Sequence, residues 1–439
     1  MEKYIWGLVV ALACVVTLER WTKTAGVDFY HYWGVTAART LSDDGLSNPY
    51  EDTTQFSTVL NAYVERSHDG RLRAINQHRR ELDLTGTPLF YATFFFLPLS
   101  YSFAFGMYQA CQTLCIFAAA ALLGRNVQER GALASLAAIL LLMPDGALQS
   151  ELRVGNVNAF QLFVIAATVA LAHRMDQARD DRVRGRIAAA LFSLPVALTL
   201  WKPNLLLIAI ALTLCFVLRM GPRRSMRACL PAIGVGGLLL AAPCLYFGDR
   251  GLWGDWYHDV LGADHTRLMF LVESGNFSST MLLSQLLDAP SRGVSFGIAG
   301  FLVLSLGAVF VYAGSRPGDP PAGVLHVAHR SFRDIGVATA LGVTATCALM
   351  PLMWFHYYIL SLVPAFWLLL SDRRTPNVGI LGAISIALSA NAVGPLCFVL
   401  GLKQGEPYWI ALCWVPLWMG ALRRIARHSA VATDSDTGA

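Results

Sequence analysis

An all-α bundle of membrane-spanning helices is the fold class that this sequence predicts, and three observations carry that prediction. Of the 439 residues, 55% are hydrophobic and only 14% are charged, and the mean hydropathy is positive at +0.49. Because ordinary soluble domains carry roughly a quarter charged residues, a water-soluble fold of this size is not expected. Apolar stretches of near-spanning length recur along the whole chain, which indicates one continuous membrane domain.

Apolar runs bounded by charged residues or by Gly and Pro breaks predict about twelve membrane spans. These spans are Tyr4 to Leu18, Phe103 to Leu123, Gly131 to Met143, Val157 to His173, Ile187 to Leu200, Asn204 to Leu218, Ala228 to Phe247, Val294 to Ala313, Ile335 to Met350, Phe355 to Leu370, Val378 to Ala390, and Tyr408 to Leu422. The first one lacks a cleavage pattern and is interpreted as a retained anchor. We expect residues 1–424 to form a single transmembrane domain and residues 425–439 a disordered cytoplasmic tail.

The distribution of basic residues predicts the orientation of the bundle. With the N-terminus in the cytoplasm, the arginine-rich runs 174–186 and 219–227 fall in cytoplasmic loops. All cytoplasmic segments together hold more than half of the 34 Lys and Arg residues, as the positive-inside rule requires. The long polar loops 19–86 and 248–293 then lie on the outer face of a plasma membrane, where we expect them to form juxtamembrane helices. The scattered arginines form no basic stripe for nucleic acid.

The first outer loop begins with an aromatic segment, residues 27–33 (VDFYHYW), that residues 34–41 can extend as a helix. Asp28, His31 and Tyr32 would share one face of that helix at the i, i+3, i+4 spacing. A carboxylate held close to the bilayer surface can act as a general base toward lipid-linked substrates. The alternative is that Asp28 serves only as the N-cap of the helix.

A second outer loop, residues 151–160 (ELRVGNVNAF), places Asn156 and Asn158 at the start of an apolar helix. Amides and free backbone N–H groups at a helix N-terminus suit sugar hydroxyls or an anion. Helix capping by Asn156 is the alternative. The neighbouring Arg153 either meets a phosphate or solvates the loop.

Two further outer positions offer hydrogen-bond donors. Lys202 lies in a very short turn, so its ammonium must stay near the membrane surface, where it either binds a lipid phosphate or snorkels to water. His356 begins the tenth predicted span and either donates to a phosphate oxygen or is a hydrogen-bonded interface residue. The loop 248–293 contains carboxylates and imidazoles, among them Asp255 and Asp264, but their spacing matches no metal-ligand pattern.

Seven short motifs follow one another between the predicted spans. They are VDFY at 27–30, NPY at 48–50, TPLF at 87–90, GNVN at 155–158, KP at 202–203, NFS at 276–278 and WFHY at 354–357. In order and spacing they resemble the polyprenol-phosphate-dependent, GT-C type membrane glycosyltransferases of glycosyltransferase family 87, a mannosyltransferase-like group. The chain departs from that family where it has GNVN instead of Gly-Gln-x-Asn and Thr87-Pro88 instead of Pro-Pro. The polar insert 53–83 also looks longer than the family's loop.

The resemblance implies inverting transfer of a sugar, mannose or another polyprenyl-linked sugar, from a polyprenyl-phosphate donor to a lipid or glycan acceptor on the outer face. In that scheme Asp28 is the general base, and the donor phosphate is bound by Lys202, His356 and Arg153. The substrate-binding residues are His31, Tyr32, Asn156, Asn158 and Asn276. Neither a cofactor nor a metal is expected, because a lipid monophosphate leaving group carries less charge than a nucleotide diphosphate.

Two other classes of function stay open from the residues alone. A multi-pass transporter or lipid flippase would place ionisable residues or broken helices near the bilayer midplane, whereas here the polar residues gather at outer helix ends. An assembly subunit without chemistry would need no cavity among the outer loops. We favour the enzyme because the polar residues occupy the positions where a lipid-linked substrate would meet them.

Overall fold

The computed structural model is helical throughout the part of the chain that it describes, which confirms the predicted all-α class. The described residues are 2–21, 24–42, 45–125, 136–138, 140–141, 143, 146–261, 272, 276–315, 323–370, 376–394 and 408–428. Within them, an isolated antiparallel bridge joins Asn276 to Trp354.

The helices are numbered here in chain order. They are α1 Glu2–Trp21, α2 Val27–Leu41, α3 Thr53–Arg66, α4 Gly70–His78, α5 Pro88–Ala92, α6 Tyr101–Arg125, α7 Ala147–Val154, α8 Asn158–Gln177, α9 Asp181–Trp201, α10 Leu206–Met220, α11 Pro222–Phe247, α12 Leu252–Trp256, α13 Ser279–Leu287, α14 Ser291–Gly314, α15 Val324–Arg333, α16 Ile335–Leu349, α17 Leu362–Leu370, α18 Pro376–Ser389 and α19 Trp414–His428. Tighter 3₁₀ segments cover Pro203–Leu205, Phe355–Ser361 and Tyr408–Leu412, and a π-helical turn covers Tyr257–Leu261.

Six of the described helices are long and apolar enough to cross a membrane, which indicates a membrane protein. They are α6, α8, α9, α10 with its preceding 3₁₀ turn, α11 and α14. Helices α15 and α16 would add a seventh span if taken as one, but they bend by 90° where they meet. The twelve predicted spans are therefore not confirmed. The third of them, Gly131 to Met143, lies largely outside the described residues, and others correspond to shorter helices such as Asn377–Ser389.

Beyond their first turns, the exposed surfaces of α11 and α14 are largely apolar. Leu245 is 80% exposed, Phe296 78% and Leu304 74%. Large apolar patches of this kind are unfavourable in water, whereas lipid tails are as apolar as the side chains themselves. These two helices therefore present a surface suited to hydrocarbon.

The first long loop folds as a helical layer on one end of the bundle. Phe29 of α2 packs against three rings of α6, with centroid distances of 5.7 Å to Tyr101, 5.2 Å to Phe105 and 4.8 Å to Tyr108. These contacts belong to an aromatic core that is separate from the larger aliphatic core of the bundle. Aromatic packing therefore fixes the start of α2 on the start of α6.

The insert 53–83 forms α3 and α4, and both are tied to the layer below. Asp69 caps α4 and also accepts hydrogen bonds from the backbone N and the hydroxyl of Ser102, at 2.8 and 2.9 Å. Asn76 donates to the hydroxyl of Tyr30 at 2.8 Å. The insert is thus a structured cover over α2.

The last helix corrects the predicted tail. Helix α19 continues to His428, so residues 425–428 are helical, although we expected disorder from residue 425 onward. The spacing of Arg423, Arg424 and Arg427 places basic side chains at the end of an otherwise apolar helix, where cations interact favourably with its dipole. Residues 429–439 lie outside the described part.

Candidate functional site

Four segments that are distant in sequence meet at one end of the bundle. They are the first turn of α2, the α7–α8 region, the turn between α9 and α10, and the start of the 3₁₀ segment Phe355–Ser361. We call the polar residues that they bring together the Asp28 cluster, which consists of Asp28, Glu151, Asn156, Lys202 and His356.

Two glycines allow the close approach of these segments. Gly26 precedes α2 with φ of 72°, and Gly155 ends α7 with φ of 70°, both in the left-handed region that glycine adopts without strain. A Cβ at position 155 would lie 2.7 Å from Cβ of Phe29, and one at position 26 would lie 2.5 Å from the ring of Phe105. The turn after α7 therefore packs directly against the first turn of α2.

Replacing Gly155 with Ala is expected to lower the thermal stability of the protein. An alanine in the left-handed region costs roughly 1–2 kcal/mol, and the overlap with Phe29 adds to that cost. Thermal unfolding of the purified protein in detergent would measure the change. Gly106→Ala in α6 is the matched control, since a Cβ there meets nothing within 4 Å. Equal unfolding temperatures for the two variants would contradict this account of the turn.

The carboxylate of Asp28 is held in place but remains accessible. Its Oδ2 accepts a hydrogen bond from Nδ2 of Asn156 at 2.5 Å, and Nε2 of His356 lies 3.4 Å from the same oxygen. The side chain stays 27% exposed. Gly26 is the N-cap of α2 and no side chain caps that helix, so the capping interpretation of Asp28 is wrong.

The surroundings of Asp28 make it a stronger base than an ordinary aspartate. Although one edge is open, the carboxylate sits deep among packed residues, and this burial raises its pKa. The hydrogen bond from Asn156 and the charge of Lys202 act in the opposite direction without cancelling the effect of burial. A raised pKa makes the ionised carboxylate a stronger base toward a hydroxyl proton.

Asn156 connects the carboxylate to an ammonium group. Its Oδ1 accepts hydrogen bonds from Nζ of Lys202 at 2.8 Å, from the backbone N of Val157 at 2.7 Å and from Nδ2 of Asn158 at 3.1 Å. Since Nδ2 faces a carboxylate and Oδ1 faces three donors, the orientation of the amide is determined. The N-cap of helix α8 is Val157, whose side chain makes no capping bond, so capping by Asn156 is wrong as well.

Lys202 points into the cluster and does not snorkel to water. In addition to its bond to Asn156, its Nζ lies 4.5 Å from the ring centroid of Tyr357, within cation–π distance. Burial lowers the pKa of Lys202, while the nearby charges of Glu151 and Asp28 raise it. The turn thus presents a desolvated ammonium at the site.

The TPLF motif anchors the turn that carries this lysine. The hydroxyl of Thr87 donates to the carbonyl oxygens of Leu200 and Trp201, at 2.8 and 2.9 Å. The same oxygen accepts from the backbone N of Phe90 and so caps α5. One side chain therefore fixes the end of α9 and the start of α5 together.

Glu151 is a member of the cluster that the sequence analysis did not identify. It is fully buried, and its carboxylate accepts from the backbone N of Ala159 at 3.0 Å, from Asn158 at 2.9 Å and from Gln112 at 3.2 Å. Burial raises its pKa, while the bond from Asn158 and the charge of Lys202 lower it. A glutamate four residues before Gly155 was the available signal, but a loop carboxylate is more often solvated.

His31 and Tyr32 lie near the cluster in different roles. Nδ1 of His31 accepts the backbone N–H of Asp83 at 3.0 Å, and burial lowers the pKa of His31 to about 4, so the ring is neutral at physiological pH. The ring of Tyr32 stacks on Phe94 at 5.4 Å, and burial together with the charge of Asp28 raises its pKa. Tyr32 is therefore close enough to Asp28 for the charge of the carboxylate to affect the pKa of the tyrosine.

The segment that follows α4 lies near the Asp28 cluster. Arg79 is exposed, and its charge lowers the pKa of Asp28, whereas Asp83 raises it. The backbone of Asp83 is fixed by His31. The long insert thus brings charged groups into the neighbourhood of the carboxylate.

Two residues predicted to bind substrate remain, Arg153 and Asn276. Arg153 is exposed at the end of α7 and makes no hydrogen bond or ion pair with the described residues. Asn276 donates to the carbonyl of Pro351 at 2.8 Å and accepts from the backbone N of Met353 and Ser278, at 3.0 and 3.1 Å. Through these hydrogen bonds, Asn276 connects the segment before α13 to the segment after α16.

A separate acidic group lies where the first and second long loops meet. Nδ2 of Asn48 donates to the carboxylates of Asp249 and Asp255, at 2.6 and 2.7 Å, and Glu51 stands beside them. Oxygens of the three carboxylates lie within 4.8 Å of one another, a spacing that can hold a cation, although exposed acidic groups commonly occur without one. Asp264 of the same loop lies outside the described residues.

Part of the chain that includes most of the Asp28 cluster matches a known protein family. The model of glycosyltransferase family 87 matches residues 85–328, which is more than half of the chain. The matched segment contains Glu151, Asn156 and Lys202 of the Asp28 cluster, while Asp28 and His356 lie on either side of it. No curated protein and no solved structure matches the chain.

Proposed function

Because this chain belongs to glycosyltransferase family 87 and is a glycosyltransferase, we propose that it transfers mannose from a polyprenyl-phosphate donor to a lipid or glycan acceptor. The transfer proceeds with inversion on the outer face of the plasma membrane. The observation that carries the proposal is a partly exposed carboxylate, Asp28, joined through the single amide of Asn156 to the buried ammonium of Lys202.

A single displacement accounts for the roles of these groups. The acceptor oxygen attacks C1 of the sugar while its proton passes to the carboxylate of Asp28. The bond between C1 and the phosphate oxygen breaks, and its electron pair leaves with the polyprenyl phosphate. Attack from the face opposite to the leaving group inverts the anomeric carbon. The open edge and raised pKa of Asp28 support its role as the base.

The leaving phosphate gains negative charge as its bond to the sugar breaks. Fixed cations stabilise that transition state more than the bound donor, which is the requirement for catalysis. Lys202 supplies a desolvated point charge, and His356 lies beside Asp28 with a buried Nε2 that has no hydrogen-bond partner among the described residues. We assign Arg153, which is exposed and makes no ion pair with the described residues, to a phosphate oxygen at the rim of the site.

Sugar hydroxyls require further polar groups near the carboxylate. Oδ1 of Asn158 is buried without a partner in the described part of the chain, and Tyr32 lies close to Asp28. We assign both to sugar contacts. Asn156 and Asn276 use both polar atoms of their amides within the protein, and His31 uses Nδ1. We therefore assign these three residues to positioning other groups.

The assignment to the outer face is supported by the charge at the other end of the same helices. Arg184 near the start of α9, Arg219 at the end of α10 and Arg224 at the start of α11 all lie opposite to the Asp28 cluster. Clusters of Lys and Arg at the ends of membrane helices are typical of the cytoplasmic side.

The pH dependence of transfer is expected to be bell-shaped. Asp28 acts when ionised, so activity falls as the pH drops through its pKa, which burial places above the ordinary aspartate value of 3.8. Lys202 acts when protonated, so activity falls again as the pH rises through its lowered pKa. In Lys202→Arg the alkaline limb should disappear, because a guanidinium stays protonated. An unchanged alkaline limb in kcat/KM would contradict the role of Lys202.

A transfer experiment in membranes tests the proposed reaction. Membranes of a strain that lacks the chain are compared with membranes of the same strain expressing it, after addition of radiolabelled polyprenyl-phosphate mannose. Label is expected in a lipid or glycan fraction only where the chain is present. Equal labelling of both membranes, with correctly folded protein confirmed by thermal unfolding, would overturn the proposal.

A further inference from the structure

A cavity lies at the end of the bundle opposite to the Asp28 cluster. It has a volume of about 600 Å³ and is enclosed by the ends of α8 and α10 and the starts of α9 and α11. Helix α9 has 21 residues and runs from this cavity to Lys202, so the two sites are roughly 30 Å apart. The cavity is therefore separate from the Asp28 cluster.

The charged lining of this cavity is predominantly basic. Four arginines, at 184, 219, 224 and 227, face two aspartates, Asp176 and Asp181. Arg219 pairs with Asp176 and keeps a buried Nη1 that has no hydrogen-bond partner among the described residues. One nitrogen of Arg184 lies 3.8 Å from a carboxylate oxygen of Asp181.

The other two arginines leave the cavity with an uncompensated positive charge. Arg224 and Arg227 are exposed on the first turns of α11 and make no hydrogen bond or ion pair with the part of the chain that is described. Guanidinium groups that converge without acidic partners suit an oxyanion, and phosphate matches their fork-shaped donor geometry. The cavity is thus complementary to a phosphate group.

The remainder of the cavity lining is mostly apolar. Its side chains are those of Met175, Ala188, Ala189, Met220, Ala228 and Pro231. A ligand that carries both a phosphate and hydrocarbon chains would satisfy the arginines and this apolar wall together, whereas a soluble phosphate would use only the arginines.

We propose that this cavity binds the phosphate of an anionic phospholipid from the leaflet opposite to the sugar-transfer site, with the acyl chains against the apolar wall that includes Met220, Ala228 and Pro231. In our proposed orientation this is the cytoplasmic leaflet. Basic pockets between membrane helices on that side are suited to acidic headgroups. The site is independent of the transferase reaction, so it stands whichever sugar the protein transfers.

Binding of defined lipids to the purified full chain tests this proposal. Dissociation constants are measured in detergent for phosphatidylglycerol and for phosphatidylcholine with the same acyl chains, by native mass spectrometry. Phosphatidylglycerol is expected to bind at least about tenfold more tightly at one site, because only its headgroup carries a net negative charge. Equal affinities for the two lipids would overturn the proposal without reference to any variant.

Paired variants locate the site. Arg224→Gln with Arg227→Gln is expected to weaken phosphatidylglycerol binding about tenfold or more. Arg182→Gln with Arg186→Gln removes the same charge from exposed positions of α9 that do not line the cavity, and this pair should bind like the original protein. Equal losses in both pairs would show a general surface attraction and overturn the proposal.

Inorganic phosphate distinguishes a lipid from its headgroup alone. At millimolar concentration it should displace little phosphatidylglycerol, since it makes no contact with the apolar wall of the cavity. Complete displacement would mean that the cavity is a site for soluble phosphate and would contradict the proposed lipid.

Discussion

Replacing Asp28 with Asn is expected to lower kcat for sugar transfer by about 10²–10⁴-fold, which is the contribution that a positioned general base typically makes. The amide cannot take the proton of the acceptor hydroxyl, yet its oxygen can still accept the hydrogen bond from Asn156. Donor binding should therefore change little, so the loss appears in kcat and not in KM. Initial rates with radiolabelled donor at saturating acceptor measure both constants.

The controls separate loss of chemistry from loss of structure. Glu65→Gln removes a carboxylate from an exposed position of α3 and should leave the rate unchanged. Asp28→Glu keeps a base but moves it by one methylene, so partial activity is expected. If Asp28→Asn retained a rate within a few fold of the original protein, another group would have to act as the base.

Replacing Lys202 with Met is expected to lower kcat/KM by about 10²–10³-fold, as for removal of one preorganised charge-stabilising donor. Methionine is of similar length and keeps the packing against Tyr357. Asn156 retains its bonds from Val157 and Asn158, so the turn should keep its shape.

A second measurement on the same variant tests whether the effect is electrostatic. The charge of Lys202 lowers the pKa of Asp28, so its removal should move the acidic limb of the pH profile to higher pH. Lys202→Arg restores the charge and should restore part of the rate. A Lys202→Met variant with a reduced rate but an unmoved acidic limb would point to a purely structural role.

The sequence was sufficient to predict the fold class and to single out most residues of the Asp28 cluster. Composition predicted the all-α membrane class, and four of the five members of the Asp28 cluster were singled out because polar residues at the ends of apolar helices are costly unless they are used. It was not sufficient to count the spans. Phe355–Ser361 is a 3₁₀ segment, and α15 meets α16 at an angle of 90°. Neither a 3₁₀ segment nor a bend between helices changes the apolar pattern of the sequence, so the pattern alone does not give the number of spans.

The roles of individual polar side chains were harder to predict than their positions. Glu151 was not identified because its burial depends on Gln112 and Asn158, which approach it only in the folded chain. Asn276 was assigned to substrate, whereas its amide bonds to backbone atoms of a segment more than 70 residues later. The amino-acid sequence shows which residues have polar side-chain atoms. It does not show which of those atoms form hydrogen bonds with the backbone in the folded protein.

The transporter or flippase that the residues left open is disfavoured by the family match. The described geometry agrees with that result, because Asp28, Asn156 and Lys202 gather at the ends of helices and not at their centres.

The identity of the donor and the configuration of the product test the central claim most directly. Purified protein is given a membrane extract as acceptor and either polyprenyl-phosphate mannose or a nucleotide-activated mannose, and the anomeric configuration of the product is determined by NMR. We expect product from the polyprenyl-phosphate donor alone, with its anomeric configuration inverted relative to that donor. Transfer from the nucleotide sugar alone would contradict the proposed polyprenyl-phosphate donor, and retention of configuration would contradict a single displacement assisted by Asp28.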